Sequence, residues 1–255
     1  MGIYNVGSTL SEAVESIQKQ TYENWELVMC DDGSTDNTLE IANKLAETDS
    51  RIIVVSNGKN LGLNYTLNYC LSLAKGEYIA RMDGDDTCSP RRLETQINFL
   101  LSQKDFDIVS SSMNLFDEDG IWETTKVKEC PTKTDVVTGS PICHAPVMMH
   151  RKCIDKVKGY TVDKKMLRVE DVNLWIKLYA EGYKCYNIDE PLYNMRNDKN
   201  AFTRRKYRYR INSTYVRIKG CKMLGLGIKC YLLAFKPMVI GLIPNSIRRI
   251  IRKKS

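Results

Sequence analysis

Three carboxylates fall within four positions of the stretch RMDGDD, at Asp83, Asp85 and Asp86. Each pair repels by about 1 kcal/mol in water and by several times that in a partly dry cleft, so the cluster needs a compensating positive charge. A divalent cation is the simplest candidate, because hard cations prefer oxygen ligands. A second acidic pair, Asp31 with Asp32, opens the run DDGSTD. An EF-hand loop beginning at Asp83 fits Asp85 and Glu94 at its third and twelfth positions. Its sixth position would be Cys88, where that loop requires glycine, and Pro90 follows, so the reading fails.

The elements that must position these acids alternate. Leu10, Val14 and Ile17 form the apolar stripe of a helix. WELVMC at 25–30 reads as a buried strand running into DDGSTD, with Ser34 or Thr35 expected to cap the helix that carries Leu39, Ile41, Ala42 and Leu45. RIIVVS at 51–56 is a second strand, a loop with Asn57, Gly58, Asn60 and Gly62 follows, and LNYTLNYCLSLA continues as helix. EYIAR is a third strand ending in acids. Pro90 then marks a first helical turn with Ser89 as its cap, and FDIVSSS is a fourth strand. Beyond residue 120, GIWETTKV and PVMMHR are expected strands and VEDVNLWIKLYAEGY a helix with Val172, Trp175 and Leu178 facing inward. Strands alternating with helices predict an α/β fold, a Rossmann-like and mostly parallel sheet covered by helices on both faces. Ligands bind such sheets beyond the carboxyl ends of the strands, where both acidic clusters fall.

Composition adds a second unit. The chain has 255 residues and a net charge of +7, yet from Lys199 onward it carries 16 Lys or Arg and no acid, leaving residues 1–198 at −9. Between Met223 and Ile243 that tail is apolar apart from Lys229 and Lys236, which lie seven apart and near one helical face. No uncharged run long enough to span a bilayer remains, so the pattern points to a helix lying on an anionic membrane surface rather than crossing it or binding nucleic acid. An ordinary basic subdomain packed on the core is the plainer alternative. Nine cysteines without a CxxC pair indicate a reduced, cytoplasmic setting, and two histidines, His144 and His150, make a structural zinc site improbable.

GIYN at 2–5, SIQKQTYENWELVMCDDGSTDNT at 16–38, NLGLNYTLN at 60–68, AKGEYIARMDGDDTCSPRRLE at 74–94 and VEDVNLWIKLYAEGY at 169–183 occur in the order found in a known family. The chain resembles the inverting family 2 glycosyltransferases of the bacterial surface-polysaccharide type. The resemblance implies a GT-A catalytic domain over residues 1–198, followed by a basic helical membrane-associating appendage over 199–255. It implies sugar-nucleotide contacts at Tyr4, Asp31, Asp32, Asp83 and His144, with Asp32 taking the base. Asp85, with Asp83, becomes the ligand of Mn²⁺ or Mg²⁺, and Asp171, beside Glu170, the catalytic base. The implied activity is transfer of one sugar from a nucleotide donor, uridine-linked by expectation, to a glycan or lipid-linked hydroxyl at the inner face of the cell membrane. The QxxRW motif of processive members is absent, LWIKLY standing near its place, which favours single additions.

Other residues have plainer readings. Trp175 belongs to the inward stripe rather than to a sugar platform, His144 serves equally as a buried structural histidine, and His150 has no role. Glu170 and Asp171 on their own would be first-turn acids favoured by a helix dipole. The family's apolar strand before the YN element is reduced here to MGI, which implies uncovered neighbouring strand edges and either a shortened chain or a start lying upstream. That departure sustains a different class of function, a catalytically silent nucleotide-binding module docking a membrane complex.

Overall fold

A computed structural model of the chain describes residues 1–197 and 206–242; the basic residues of 199–205 and of 243–255 lie outside the described residues. In chain order the elements are β1 (Gly2–Ile3), α1 (Leu10–Gln18), β2 (Leu27–Asp31), α2 (Thr38–Thr48), β3 (Ile52–Ser56), α3 (Leu63–Leu73), β4 (Tyr78–Ala80), β5 (Thr87–Cys88), α4 (Arg92–Ser102), β6 (Ile108–Asp117) and β7 (Gly120–Thr124). They continue with α5 (Lys133–Thr138), β8 (Met148–His150), α6 (Arg151–Lys156), α7 (Glu170–Ala180), β9 (Cys185–Arg196), α8 (Tyr207–Met223), α9 (Ile228–Ala234) and α10 (Lys236–Leu242).

The first sheet is wholly parallel and the second is mixed. β1, β2 and β3 form a parallel sheet in that order, whereas the second sheet runs β4-β8-β6-β9-β5 and mixes parallel β6–β9 with antiparallel neighbours. Every residue of β2 is buried, which is why LVMCD reads as a continuous apolar run up to its final acid. One capping expectation fails. α2 begins at Thr38, and Asp36 rather than Ser34 or Thr35 serves its first turn, Oδ1 accepting from the Thr38 amide at 3.0 Å. Ser34 is held elsewhere, its hydroxyl accepting from the Asn5 amide at 3.0 Å. The helix after Pro90 likewise starts later than expected, at Arg92, with the Ser89 carbonyl accepting from the Arg92 amide.

The helical appendage shares a core with the sheet. Val216, Cys221 and Leu224 of α8 and its following turn, and Cys230 and Ala234 of α9, join the apolar cluster that contains Trp175, Ile176 and Leu178 of α7. Arg217 crosses the same interface, donating to the carbonyls of Val137 and of Gly139 at the end of α5. A cation at a helix C-terminus also meets the negative end of its dipole.

Between β2 and β4 the described residues contain no strand. A cavity of about 560 Å³ lies there, lined by Leu27 and Val28 on one side and by Tyr78, Ile79 and Ala80 on the other. β1 reaches its end. The Met1 nitrogen donates to the Val28 carbonyl at 2.7 Å, and the Met1 carbonyl accepts from the Cys30 amide at 3.0 Å, so Met1 already occupies a parallel ladder position. Five alternating valine and isoleucine residues added ahead of Met1 would continue that ladder into the cavity. The expected outcome is a rise in Tm of at least about 2 °C, the shift that roughly 1 kcal/mol produces in a chain of this size; an unchanged melting curve would show that the cavity does not accept a strand.

Candidate active site

Asp31 and Asp32 end the central parallel strand, where the chain must turn to leave the sheet. Asp31 accepts from the amides of Gly33 (3.1 Å) and Ser34 (3.2 Å) and from the Ser56 hydroxyl (3.2 Å). Asp32 accepts from the Asn57 amide side chain (2.8 Å), the Leu61 amide (2.8 Å) and the Gly62 amide (2.9 Å). The two carboxylates thus fasten the DDGS turn to the 57–62 loop. Gly33 is required there: its φ is +73°, and a Cβ would stand 2.5 Å from the Lys59 carbonyl carbon. Tyr4 stands beside this turn, 46% exposed, and Asn5 links to it through Oδ1, which accepts from the Thr35 amide at 2.9 Å.

Ile3 joins the two acidic turns. Its carbonyl accepts from the Asp32 amide at 2.9 Å, while its side chain lies against Gly84, where a Cβ would come within 3.0 Å of Ile3 Cγ2 and 3.1 Å of Val6 Cγ2. The glycine inside DGDD therefore lets the acidic loop approach the end of β1 closely.

The three acids of that loop have different surroundings. Asp83 pairs with Arg81, Nη2 donating to Oδ1 at 2.6 Å. Burial by itself would lower the Arg81 guanidinium, but the charge and hydrogen bond of Asp83, together with Tyr160 and Tyr193, outweigh it and hold Arg81 protonated. Asp86 is buried, and accepts from the Tyr193 hydroxyl (2.9 Å) and the Arg196 amide (2.7 Å). Burial, then the charges of Asp83 and Asp85, push its carboxyl up to about 7. Asp85 is exposed, and among the described residues only its own amide hydrogen-bonds its carboxylate. Desolvation by the surrounding loop, then repulsion from Asp83, raise it above the ordinary carboxylate range. An acid kept uncomfortable by a like charge, with no other residue bonded to its oxygens, suits a hard divalent cation. Among the described residues no three Asp, Glu, His or Cys side chains converge, so such an ion would be completed by ligand and water oxygens, as Mg²⁺ commonly is.

Arg81 carries the site toward the expected base. Its charge is felt by His144, Tyr160, Glu170 and Asp171. His144 Nε2 lies 2.8 Å from the Tyr160 hydroxyl, and the ring meets Tyr160 and Trp175 edge-on. Desolvation, then Arg81, hold His144 well below the ordinary histidine range, so it is neutral near pH 7. Asp171 and Glu170 open α7. Both are raised above ordinary carboxylates chiefly by burial, opposed at Asp171 by the Val172 amide donating at 2.8 Å and by Arg81 and Arg217. Glu170 faces a separate open cleft bounded by Leu61, Tyr65 and Leu167. The structure therefore brings Asp83, Asp85, His144, Glu170 and Asp171 around Arg81, and sets Asp31, Asp32 and Tyr4 at the adjoining strand end. Trp175 is 1% exposed and belongs to the core, as its helical spacing indicates.

Sequence reasoning passed over Arg81, Tyr193 and Arg196. Arg81 was within the same motif and could have been read as the counter-charge. Tyr193 could not, because 107 residues separate it from the Asp86 it serves. Besides that bond, its hydroxyl accepts from the Asp83 amide at 3.1 Å. Tyr193→Phe removes both contacts from a buried position, and a loss of about 1–3 kcal/mol is expected, read as a lower denaturant midpoint with an unchanged m-value.

Comparison with known proteins gives a consistent picture. The family model Glycosyl transferase family 2 matches residues 1–152. EpsE of Bacillus subtilis, a glycosyltransferase by name, is 40% identical over the whole of this chain and 92% of its own length. The UDP-Glc:alpha-D-GlcNAc-diphosphoundecaprenol beta-1,3-glucosyltransferase WfaP of Escherichia coli is 33% identical over 73% of this chain and 71% of its own. Among solved structures, S. aureus TarS 1-349 in complex with UDP-GlcNAc superposes with a TM-score of 0.69 at 18% identity, over 88% of this chain and 68% of TarS 1-349. Mannosyltransferase PcManGT from Pyrobaculum calidifontis, in complex with GDP-Man and Mn2+, gives 0.64 at 16% identity, over 99% and 77%. At these identities the structural likeness establishes the fold.

Proposed function

This chain belongs to glycosyl transferase family 2 and is a glycosyltransferase with the GT-A fold, and from that premise we propose that it moves one sugar, with inversion, from a uridine-linked donor to a hydroxyl of a lipid-linked glycan. The observation that carries the reading is the placement of Asp85, bonded to no other described residue through its carboxylate and repelled by Asp83, on the same cluster as the raised carboxyls of Glu170 and Asp171. One acid is arranged to hold positive charge and the others to hold a proton.

In this reading Asp32 and Tyr4 receive the nucleobase at the end of β2. Asp32 keeps capacity for a further donor, since Oδ2 accepts only from Gly62 among the described residues. Asp85 and Asp83 would hold Mn²⁺ or Mg²⁺, which when bound would supply Lewis-acid stabilisation of the charge growing on the diphosphate leaving group. Arg81 stays protonated beside Asp83 and limits the repulsion that the acidic loop would otherwise suffer. Asp171 takes the proton from the acceptor hydroxyl as that oxygen attacks the anomeric carbon from the face opposite the diphosphate. His144, neutral and fixed by Tyr160, keeps the floor between the two carboxylate groups from carrying another charge.

The appendage supports a peripheral site at the inner membrane face. Cys230 and Ala234 turn α9 inward, which leaves Ile228 (73% exposed), Leu232 (69%) and Leu242 (75%) of α9 and α10 on the outside with the exposed Lys229 and Lys236. Apolar side chains flanked by lysines fit an anionic interface. No helix among the described residues is long and apolar enough to cross a membrane. Flotation with phosphatidylglycerol liposomes is expected for the full chain and lost in a Leu232→Glu, Phe235→Glu variant; equal flotation of both would remove the membrane role of this face.

Two enzymatic outcomes test the chemistry. Asp85→Ala is expected to abolish Mn²⁺-dependent UDP binding, measured by calorimetry. Asp171→Asn is expected to lower kcat at least a hundredfold while leaving UDP affinity within about twofold, a ratio worth under ~0.5 kcal/mol. Because burial raises Asp171 above its ordinary 3.8, the rate should fall as pH drops through a limb above that value, when the base becomes protonated. Turnover that survives Asp171→Asn with its acid limb in place would assign the base elsewhere.

A further inference from the structure

Glu170 opens onto a second cleft, of about 700 Å³, between the first turn of α3, the 162–168 segment and the start of α8. Its charge is unlike the rest of the site. Lys164, Arg168 and Arg208 all line it, all are exposed, and none has an acidic partner at ion-pair distance among the described residues. Among the described residues Arg208 donates only to the Tyr209 hydroxyl, at 3.4 Å. Two acids stand against them. Asp163 is turned to its own segment, accepting from the Lys165 amide at 2.7 Å, and Glu170 sits at the inner end beside the expected base. Arg168 is held at φ +65°, a left-handed conformation that non-glycine residues adopt at a cost and that collects at ligand-binding positions.

The cleft also has an apolar rim. Leu61, Tyr65, Val162 and Leu167 are 38 to 58% exposed along it. At its α8 edge Gly241 of α10 packs on Tyr207 and Arg210, where a Cβ would come within 2.6 Å of either side chain. α10 also carries the exposed Val239 and Leu242. Acid, cations and apolar surface thus share one cleft.

We propose that this cleft is the acceptor subsite and that Lys164, Arg168 and Arg208 bind the diphosphate of a prenyl-diphosphate-linked glycan, with its sugar toward Glu170 and its prenyl chain along the apolar rim to α10. The inference rests on the reading of the chain as a glycosyltransferase with a lipid-linked acceptor and names the group that the protein grips. Planar guanidinium forks match phosphate oxygens two at a time, and a prenyl diphosphate offers both the charge and the adjoining apolar chain that the cleft can cover. A neutral glycan would leave three unpaired cations facing it.

The donor's diphosphate depends on a metal ion in the reading above, whereas this subsite supplies its own positive charge, and that difference separates the two. The probe is geranyl diphosphate, titrated into the full chain with EDTA present. Binding at least tenfold tighter than that of inorganic pyrophosphate is expected, retained in Asp85→Ala and weakened at least tenfold in Arg168→Gln, Arg208→Gln. UDP with Mn²⁺ should show the reverse pattern, lost in Asp85→Ala and unchanged in the arginine variant, which also certifies that this variant folds. Geranyl diphosphate binding that ignores the arginine pair, or that pyrophosphate matches, overturns the subsite. Equal weakening of phosphatidylglycerol vesicle binding in the arginine variant, without a geranyl diphosphate effect, would assign these cations to the membrane headgroups instead. Insensitivity of UDP and Mn²⁺ binding to Asp85→Ala would count against the donor site alone.

Discussion

A single buried guanidinium reconciles charges that would otherwise force this site apart. Arg81 lies between the acidic loop and the start of α7, paired to Asp83 and felt by Asp171 and Glu170. Without it, five carboxylates would share a region where burial already raises Asp85, Asp86, Glu170 and Asp171. With one partner removed, a buried ion pair leaves an uncompensated charge, which is far more costly than an absent pair. The position at the end of a strand fixes the backbone of Arg81, and the Arg92 guanidinium holds its carbonyl at 2.7 Å. The site is therefore built on the sheet and on α4 as much as on its own loop.

The same economy governs the two acidic strand ends. Their convergence depends on the side chain and the carbonyl of Ile3, and on the absence of a side chain at Gly84. Asp31 and Asp32 spend their oxygens on loop amides and Asp86 on β9, so these acids are structural in the first instance. Asp85 is spared such bonds. A cluster that looks uniform as letters thus divides by environment into acids that tie loops and one acid whose carboxylate no other described residue bonds.

Much of this arrangement was legible in the sequence because it is local. Strand runs ending in acids located the site, and the spacing of Val172, Trp175 and Leu178 oriented α7 correctly. What could not be read depends on distant pairing. Tyr193 reaches the acidic loop through β9, and β8 enters the second sheet against the run of its neighbours, which turned an expected parallel sheet into a mixed one. α8 was hard to read for another reason. Its inward face carries Thr214, Arg217, Gly220 and Cys221 together with Val216, so no apolar stripe announces that it packs on α7. Gly220 is there for proximity, since a Cβ would stand 2.6 Å from Ile176 Cδ1.

The gap between β2 and β4 alters how this molecule meets its own copies. Strand borders normally lie at the rim of a sheet, where unsatisfied amides can recruit another chain and seed aggregation. Here the border of β2, partly covered by Met1 and β1, and the border of β4 face each other across a half-open hollow lined by residues of α1, α3 and α4. Intermolecular cross-pairing at those borders is hindered by the helices that line the hollow, so colloidal stability is coupled to their packing as well as to the chemistry of the outer surface.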